Sequence, residues 1–242
     1  MLSAEMTEIL RLLHGESGAL PDCCAAVLGV DHVVVSLAVD GQITEQLWSS
    51  GATGSSFEDL QFTLGEGPGL DVLRTGRMIL EHDMSKVAAD RWPALLPAMA
   101  HLPIAALFCL PLALGGITLG VLTALRSTAR PMTGQEMDDV LALVGGLTLH
   151  FLAADEDRVD AWVAVSAPLN RGLHREVVHQ ATGMLSVQLG VSLARALLTL
   201  RAYTYSHGRS IIDVAQDIVS RRLRLDEDDS DPDPDPPEET RG

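Results

Sequence analysis

The stretch LPIAALFCLPLALGGITLGVLTAL, Leu102 to Leu125, runs for 24 residues without a charge. A single apolar helix of that length could cross a bilayer. Its internal punctuation favours another reading. Pro103 and Pro111 interrupt a helix, and Gly115-Gly116 lies near the middle, between two apolar runs. Gly-Gly in that position is a tight-hairpin signal. Ile104–Leu112 and Ile117–Leu125 therefore read as two buried strands, and the membrane-spanning reading is the weaker one.

Upstream, His32–Val39 is a β-branched run. Ile43–Ser49 follows it after Asp40-Gly41, the favoured dipeptide of a type I′ hairpin. Leu2–Leu13 and Pro21–Leu28 read as amphipathic helices. Ser50–Ser56 reads as a Gly/Ser loop. Leu64–Gly69 is a turn-rich element opening a short helix to about Thr75, with Pro68 suited to the first helical turn. Arg77–Glu81 reads as a short strand and Trp92–His101 as helical. Five strands with helices before, between and after predict an α+β fold around one antiparallel sheet.

Downstream, Thr133 to about Val165 reads as one long helix. Met137, Val140, Val144, Leu147, Phe151 and Ala154 alternate by three and four along it, as a coiled-coil seam does. The first half is expected to cover the sheet and the second half to pair with a partner subunit. After Pro168 come three shorter helices. Leu173–Leu189 is stopped by Gly190. The next is capped by Ser192 and stopped at His207-Gly208. Ile211–Leu223 is opened by Ser210 with Asp213 three residues on, a capping-box-like pair. Residues 226–242 are acidic and repeat Asp-Pro, which gives too little apolar surface to fold.

The formal net charge is −16, which taken whole argues against a nucleic-acid partner. The total hides an asymmetry. Residues 158–224 hold nine arginines against four acids, and residues 225–242 hold nine acids against one arginine. Arginine grips phosphate in a planar, bidentate way and stacks on bases, which lysine does not. A basic segment of this kind is a nucleic-acid footprint, although charge alone also fits a solvated helical surface. The acidic stretch reads either as a solubilising tail or as a mimic competing for those arginines.

The chain offers little chemistry of its own. No P-loop, HExxH or GxSxG motif occurs. His174 and His179 are five apart and do not share a helical face well, so no metal site is expected. Cys23, Cys24 and Cys109 have no CxxC spacing and read as structural thiols of a reducing compartment. No basic segment opens the chain, so no secretory signal is expected. These readings point to a cytoplasmic protein without cofactor, catalytic residues or membrane span.

The run Val178-His179-Gln180-Ala181-Thr182-Gly183-Met184-Leu185, followed by Arg201-Ala202-Tyr203 and His207-Gly208-Arg209, resembles the ANTAR family of RNA-binding antitermination modules. The resemblance covers about 60 residues and all three helices. The earlier part resembles a GAF sensor domain, through Leu64-Gly65-Glu66-Gly67-Pro68, Trp92-Pro93 and the hairpin Leu114-Gly115-Gly116-Ile117-Thr118-Leu119-Gly120. The order of the two is similar to an actinobacterial arrangement. It implies a GAF-like domain over 1–155 that includes the start of the linker helix, an ANTAR-like module over 166–225, and a tail over 226–242.

By that resemblance the module binds paired RNA hairpins as a homodimer and prevents transcription termination, under a small-molecule signal sensed by the GAF-like domain. Ala181 and Gly183 would serve close helix packing. The residues suited to RNA are Arg175, Gln180, Thr182, Arg201, Tyr205 and Arg209, with Arg221, Arg222 and Arg224 on phosphates. The family commonly has Lys where Thr182 stands. Arg195 is expected to pair with Asp213 or Asp217. His82, Asp83, Arg91 and Trp92 are candidates to line a sensor pocket. Two other readings stay open: a GAF sensor whose helical module touches protein or DNA, and a thiol-dependent methionine sulfoxide reductase.

Overall fold

The computed structural model describes residues 1–13, 20–39, 42–153 and 171–225. The expected Asp40-Gly41 turn, the linker helix beyond 153 and the acidic tail lie outside the described residues. The chain divides into two compact units, Met1–Gly172 and Leu173–Gly242.

The first unit is built on a five-stranded antiparallel sheet. Its strands are β1 (His32–Val39), β2 (Gln42–Ser49), β3 (Ile79–Glu81), β4 (Ala106–Leu114) and β5 (Ile117–Arg126), in the order β2-β1-β5-β4-β3. β4 and β5 are the two strands read from Leu102–Leu125. They turn at Gly115, whose φ of 60° is a conformation that glycine adopts without strain. Phe108 pairs with Ala124 and Leu110 with Leu122. Among the described residues, no single helix is long and apolar enough to cross a membrane.

Successive side chains of a strand point to opposite faces, so this apolar hairpin feeds two cores. Phe108, Leu110, Leu122 and Ala124 pack with α1 (Ala4–Leu12), α2 (Leu20–Val27) and α6 (Gly134–Ala153). Leu107, Cys109, Val121 and Leu125 pack on the other side, with Phe57, Val72, Trp92 and Leu95 from the layer of α3 (Ala52–Leu64), α4 (Pro68–Thr75) and α5 (Leu95–Ala98). Full burial of each large apolar side chain contributes about 1.5–3 kcal/mol. The result is the α+β architecture expected, with helices on both faces.

Two local expectations fail for physical reasons. Ser50–Ser56 is not a loop throughout, because α3 begins at Ala52. Its small residues let the helix lie close to β1: a Cβ on Gly54 would sit 2.7 Å from Val34 Cγ2. Trp92–His101 is α-helical only over Leu95–Ala98.

α6 uses its seam differently from expectation. Val140 and Leu147 are buried in the sheet core, and Met137, Val144 and Phe151 pack against it. Those seam residues therefore cover the protein's own sheet. A different stripe faces outward: Leu141, Gly145, Leu149 and Leu152.

One ion pair locks this helix to the sheet. Arg126, only 2% exposed, ends β5 under the Phe108 ring and donates to the Gly29 carbonyl at 3.0 Å. It also reaches Glu136 at 3.3 Å. Glu136 accepts from Arg130 at 2.7 Å and from the Thr133 backbone N–H at 2.8 Å. Burial alone would raise the Glu136 pKa, but these hydrogen bonds and the two guanidinium charges outweigh it and hold it at about 2.

Gly54→Val should lower stability by about 1–3 kcal/mol through overpacking, read as a lower urea midpoint with an unchanged slope. A midpoint equal to wild type would show that α3 is not closely docked. Glu136 has a folded pKa below its unfolded value near ~4.3. Its stabilisation is therefore complete above that pH and is lost as the pH falls toward about 2. Glu136→Gln should cost about 2 kcal/mol at neutral pH and flatten the stability curve across that acid window. Urea titrations from pH 2 to 7 check both.

Candidate functional site

The second unit holds three helices, α7 (Arg171–Leu189), α8 (Leu193–Ser206) and α9 (Ile211–Val219). Ser192 Oγ accepts from the Arg195 N–H at 3.3 Å, and Ser210 Oγ from the Ile212 N–H at 3.2 Å, so serine opens both short helices. Val178, Ala181 and Leu185 of α7, Ala196 and Leu200 of α8, and Ile211, Val214 and Ile218 of α9 are all buried. This core is small, as three short helices require.

α9 is shorter than the helix expected over Ile211–Leu223. It ends at Val219 in a Schellman turn. The Arg221 N–H donates to the Ile218 carbonyl at 2.9 Å and the Arg222 N–H to the Asp217 carbonyl at 2.7 Å. The residue held left-handed is Arg221, with φ 59°, the one non-glycine residue at positive φ among the described residues. Glycine normally fills this position, and an L-residue there costs roughly 1–2 kcal/mol. The turn returns the chain toward α7, where Gln188 donates its amide to the Leu225 carbonyl.

That turn sorts the arginines. Asp217 accepts from Arg209 at 2.5 Å and from Arg222 at 2.9 Å, so these two take one of the two carboxylates expected for Arg195. Both guanidinium groups hold the Asp217 carboxyl below the usual carboxylate range. Among the described residues no carboxylate pairs with Arg221. It lines an open groove of about 780 Å³ with Gln180 and Arg224, beside Met184, Val187 and Ile218.

The remaining expected RNA-facing residues are dispersed. Tyr205 stands 75% exposed near the end of α8. Arg201 is half-buried, and burial pushes its guanidinium down to about 10, which leaves it charged at neutral pH. Thr182 does not belong to the exposed face. It is 5% exposed, and its hydroxyl donates to the Val178 carbonyl at 2.7 Å, as helix-buried threonine does. Arg175 lies on α7, and its side chain is outside the described residues. Gly183 does not serve close packing: a Cβ there would meet nothing within 4 Å, and the residue borders the groove. Its helical position and its small size were legible; the space in front of it was not.

In the first unit, His82, Asp83, Arg91 and Trp92 do not all converge; of the four, Arg91 and Trp92 meet. The exposed His82 ring lies 5.9 Å from Phe108, in the core that α6 covers. Asp83 caps a 3-10 turn and pairs with Lys86. Trp92 is buried in the opposite layer and donates its indole N–H to Asp71 at 2.9 Å. Arg91 stacks over Trp92 and pairs with Glu81. A group that the sequence reading missed lies between the sheet and α3. Glu58, 1% exposed, accepts from Thr123 at 2.9 Å, Gln61 at 3.1 Å and Ser36 at 3.3 Å. Glu58 and Gln61 are three apart among Phe57, Leu60, Phe62 and Leu64, a helical spacing that would have exposed them had α3 been recognised.

Of the three thiols, Cys24 and Cys109 are buried as structural cysteines are, whereas Cys23 is exposed, against the expectation. Burial pushes the Cys24 thiol up to about 12 and the Cys109 thiol up as well, whereas reactive cysteines need a depressed value. Among the described residues, no group of three or more His, Cys, Asp or Glu side chains could hold a metal ion.

The family model for the GAF domain matches residues 23–147, and that for the ANTAR domain matches residues 171–219. Several solved GAF domains are found as similar structures. One, from the Acinetobacter phosphoenolpyruvate-protein phosphotransferase, is 12% identical with a TM-score of 0.49, over 63% of this chain and 95% of that one. The corresponding domain of Coxiella burnetii is 18% identical with a TM-score of 0.47, over 66% and 99%. A GAF domain/HD domain protein from Geobacter sulfurreducens is 16% identical with a TM-score of 0.44, over 62% and 97%. No curated protein matches. The GAF match spans more than half of the 242 residues, so the chain belongs to the GAF domain family and carries an ANTAR domain in its second unit.

Proposed function

We propose that this GAF–ANTAR regulator binds RNA hairpins through its three-helix unit and so controls transcription termination. The ANTAR match over residues 171–219 carries the reading. The arginine turn after α9 supports it: Arg209 and Arg222 share Asp217, and Arg221 and Arg224 line a groove that also presents Gln180. Arginine and phosphate charge would supply affinity, and unstacked loop bases would supply specificity. Tyr205 offers an exposed ring for stacking. Arg209 and Arg222 would exchange a half-buried aspartate for phosphate, one anionic acceptor for another. Thr182 drops out of the contact set, while Arg175 and Arg201 stay as charged contributors.

The homodimer belongs to the same proposal, through the outward stripe of α6. Leu141, Gly145, Leu149 and Leu152 follow three-and-four spacing, so a second copy of the helix would bring leucine onto leucine. Gly145 has open space in front of it and would admit close approach. A small-molecule effector at the GAF domain would act by shifting this pairing. The polar group around Glu58, set in an apolar layer, has the composition of a ligand-sensing interior.

RNA binding should fall steeply with salt, with a log–log slope of about −2 to −4 for three to five neutralised phosphates. At fixed salt, hairpins should bind more tightly than duplex DNA of the same stem sequence. A flat salt response, or equal binding to duplex DNA, would contradict the RNA reading. Leu149→Glu should shift the chain to monomer in sedimentation, with its melting temperature unchanged. A dimer that survives the change would place the interface elsewhere.

A further inference from the structure

The groove between α7 and α9 has two walls of different chemistry. Met184, Val187 and Ile218 are apolar, and Val187 is 85% exposed at its edge. Gln180 and Arg221 are polar and reach it from opposite elements. A thioether beside aliphatic carbon suits the face of an aromatic ring. A carboxamide and a guanidinium suit the edge of a base, because together they supply both donors and an acceptor.

Two residues at this groove cost the fold stability. Gly183 stands inside a helix, where glycine is a poor choice, and no neighbour requires it: a Cβ would meet nothing within 4 Å. Arg221 occupies a left-handed position that glycine would fill without strain. No carboxylate rewards its side chain, whereas neighbouring Arg222 and Arg209 share Asp217. Unfavourable local choices that converge on one surface mark a functional site.

We infer that this groove is a subsite for one unstacked nucleobase of an RNA loop. Its ring lies on Met184 and Val187, its edge meets Gln180, and Arg221 holds the base edge or its phosphate. Gly183 keeps the floor clear, and the Schellman turn aims Arg221 across the opening. This rests on the RNA-binding reading above and adds to it a defined pocket and a residue that selects the loop.

The test uses the full chain and an RNA pool with a fixed stem and randomised loops of several lengths. Three variants are compared with wild type: Arg221→Gly, Arg221→Asn and Gly183→Leu. The two changes at Arg221 use residues tolerant of the left-handed conformation. All three should melt at or above the wild-type temperature while binding the selected hairpin at least tenfold more weakly. One loop position should also exist where removal of the base weakens wild type tenfold or more and changes the Arg221 variants little. Folded variants that bind as tightly as wild type would overturn the subsite and leave RNA binding intact. A wild-type chain that binds no hairpin from the pool would overturn both.

Discussion

The hairpin of β4 and β5 has no polar face, and the first unit follows from that. Alternate residues along both strands are apolar, so each side must be kept from water. α1, α2 and α6 close one side and α3, α4 and α5 the other. α6 can close its side only if its first turn is fixed to the end of the sheet. The Arg126–Glu136 contact does this at the last residue of β5. α6 is therefore anchored directly to the sheet, and its outer stripe is left for other use.

Much of this was legible because alternation and turn chemistry are local signals. His32–Val39 was read to the residue, and Gly115-Gly116 fixed the hairpin. The failures are those of local reading. Small residues at Ser50–Ser56 look like a loop, but here they let a helix approach a strand, and only Val34 on the neighbouring element shows why. The α6 seam was correctly periodic, yet periodicity reveals that a face is covered and not what covers it. α9 was read too long because the usual glycine stop is absent: arginine stands at the left-handed position.

The site was less legible than the fold for a related reason. The basic segment emerged once charge was divided along the chain, but equal charges have unequal surroundings. Asp217 engages Arg209 and Arg222, burial weakens the basicity of Arg201, and Arg221 is held in strain at a groove. Thr182 looked like an exposed substitute for a phosphate contact and is a core residue. Sequence spacing could not make these distinctions, because they depend on how the chain turns after Val219. The same turn gives up stability where a glycine would have kept it, a trade found where function constrains a residue.

The central claim is that the second unit reads RNA hairpins. Crosslinking the chain to RNA in its own cell and sequencing the recovered fragments tests it most directly. The account predicts fragments that converge on hairpin loops ahead of transcription terminators, with crosslinks mapping to α7 and the turn at Arg221. Fragments scattered without hairpin enrichment, or crosslinks confined to the first unit, would contradict it.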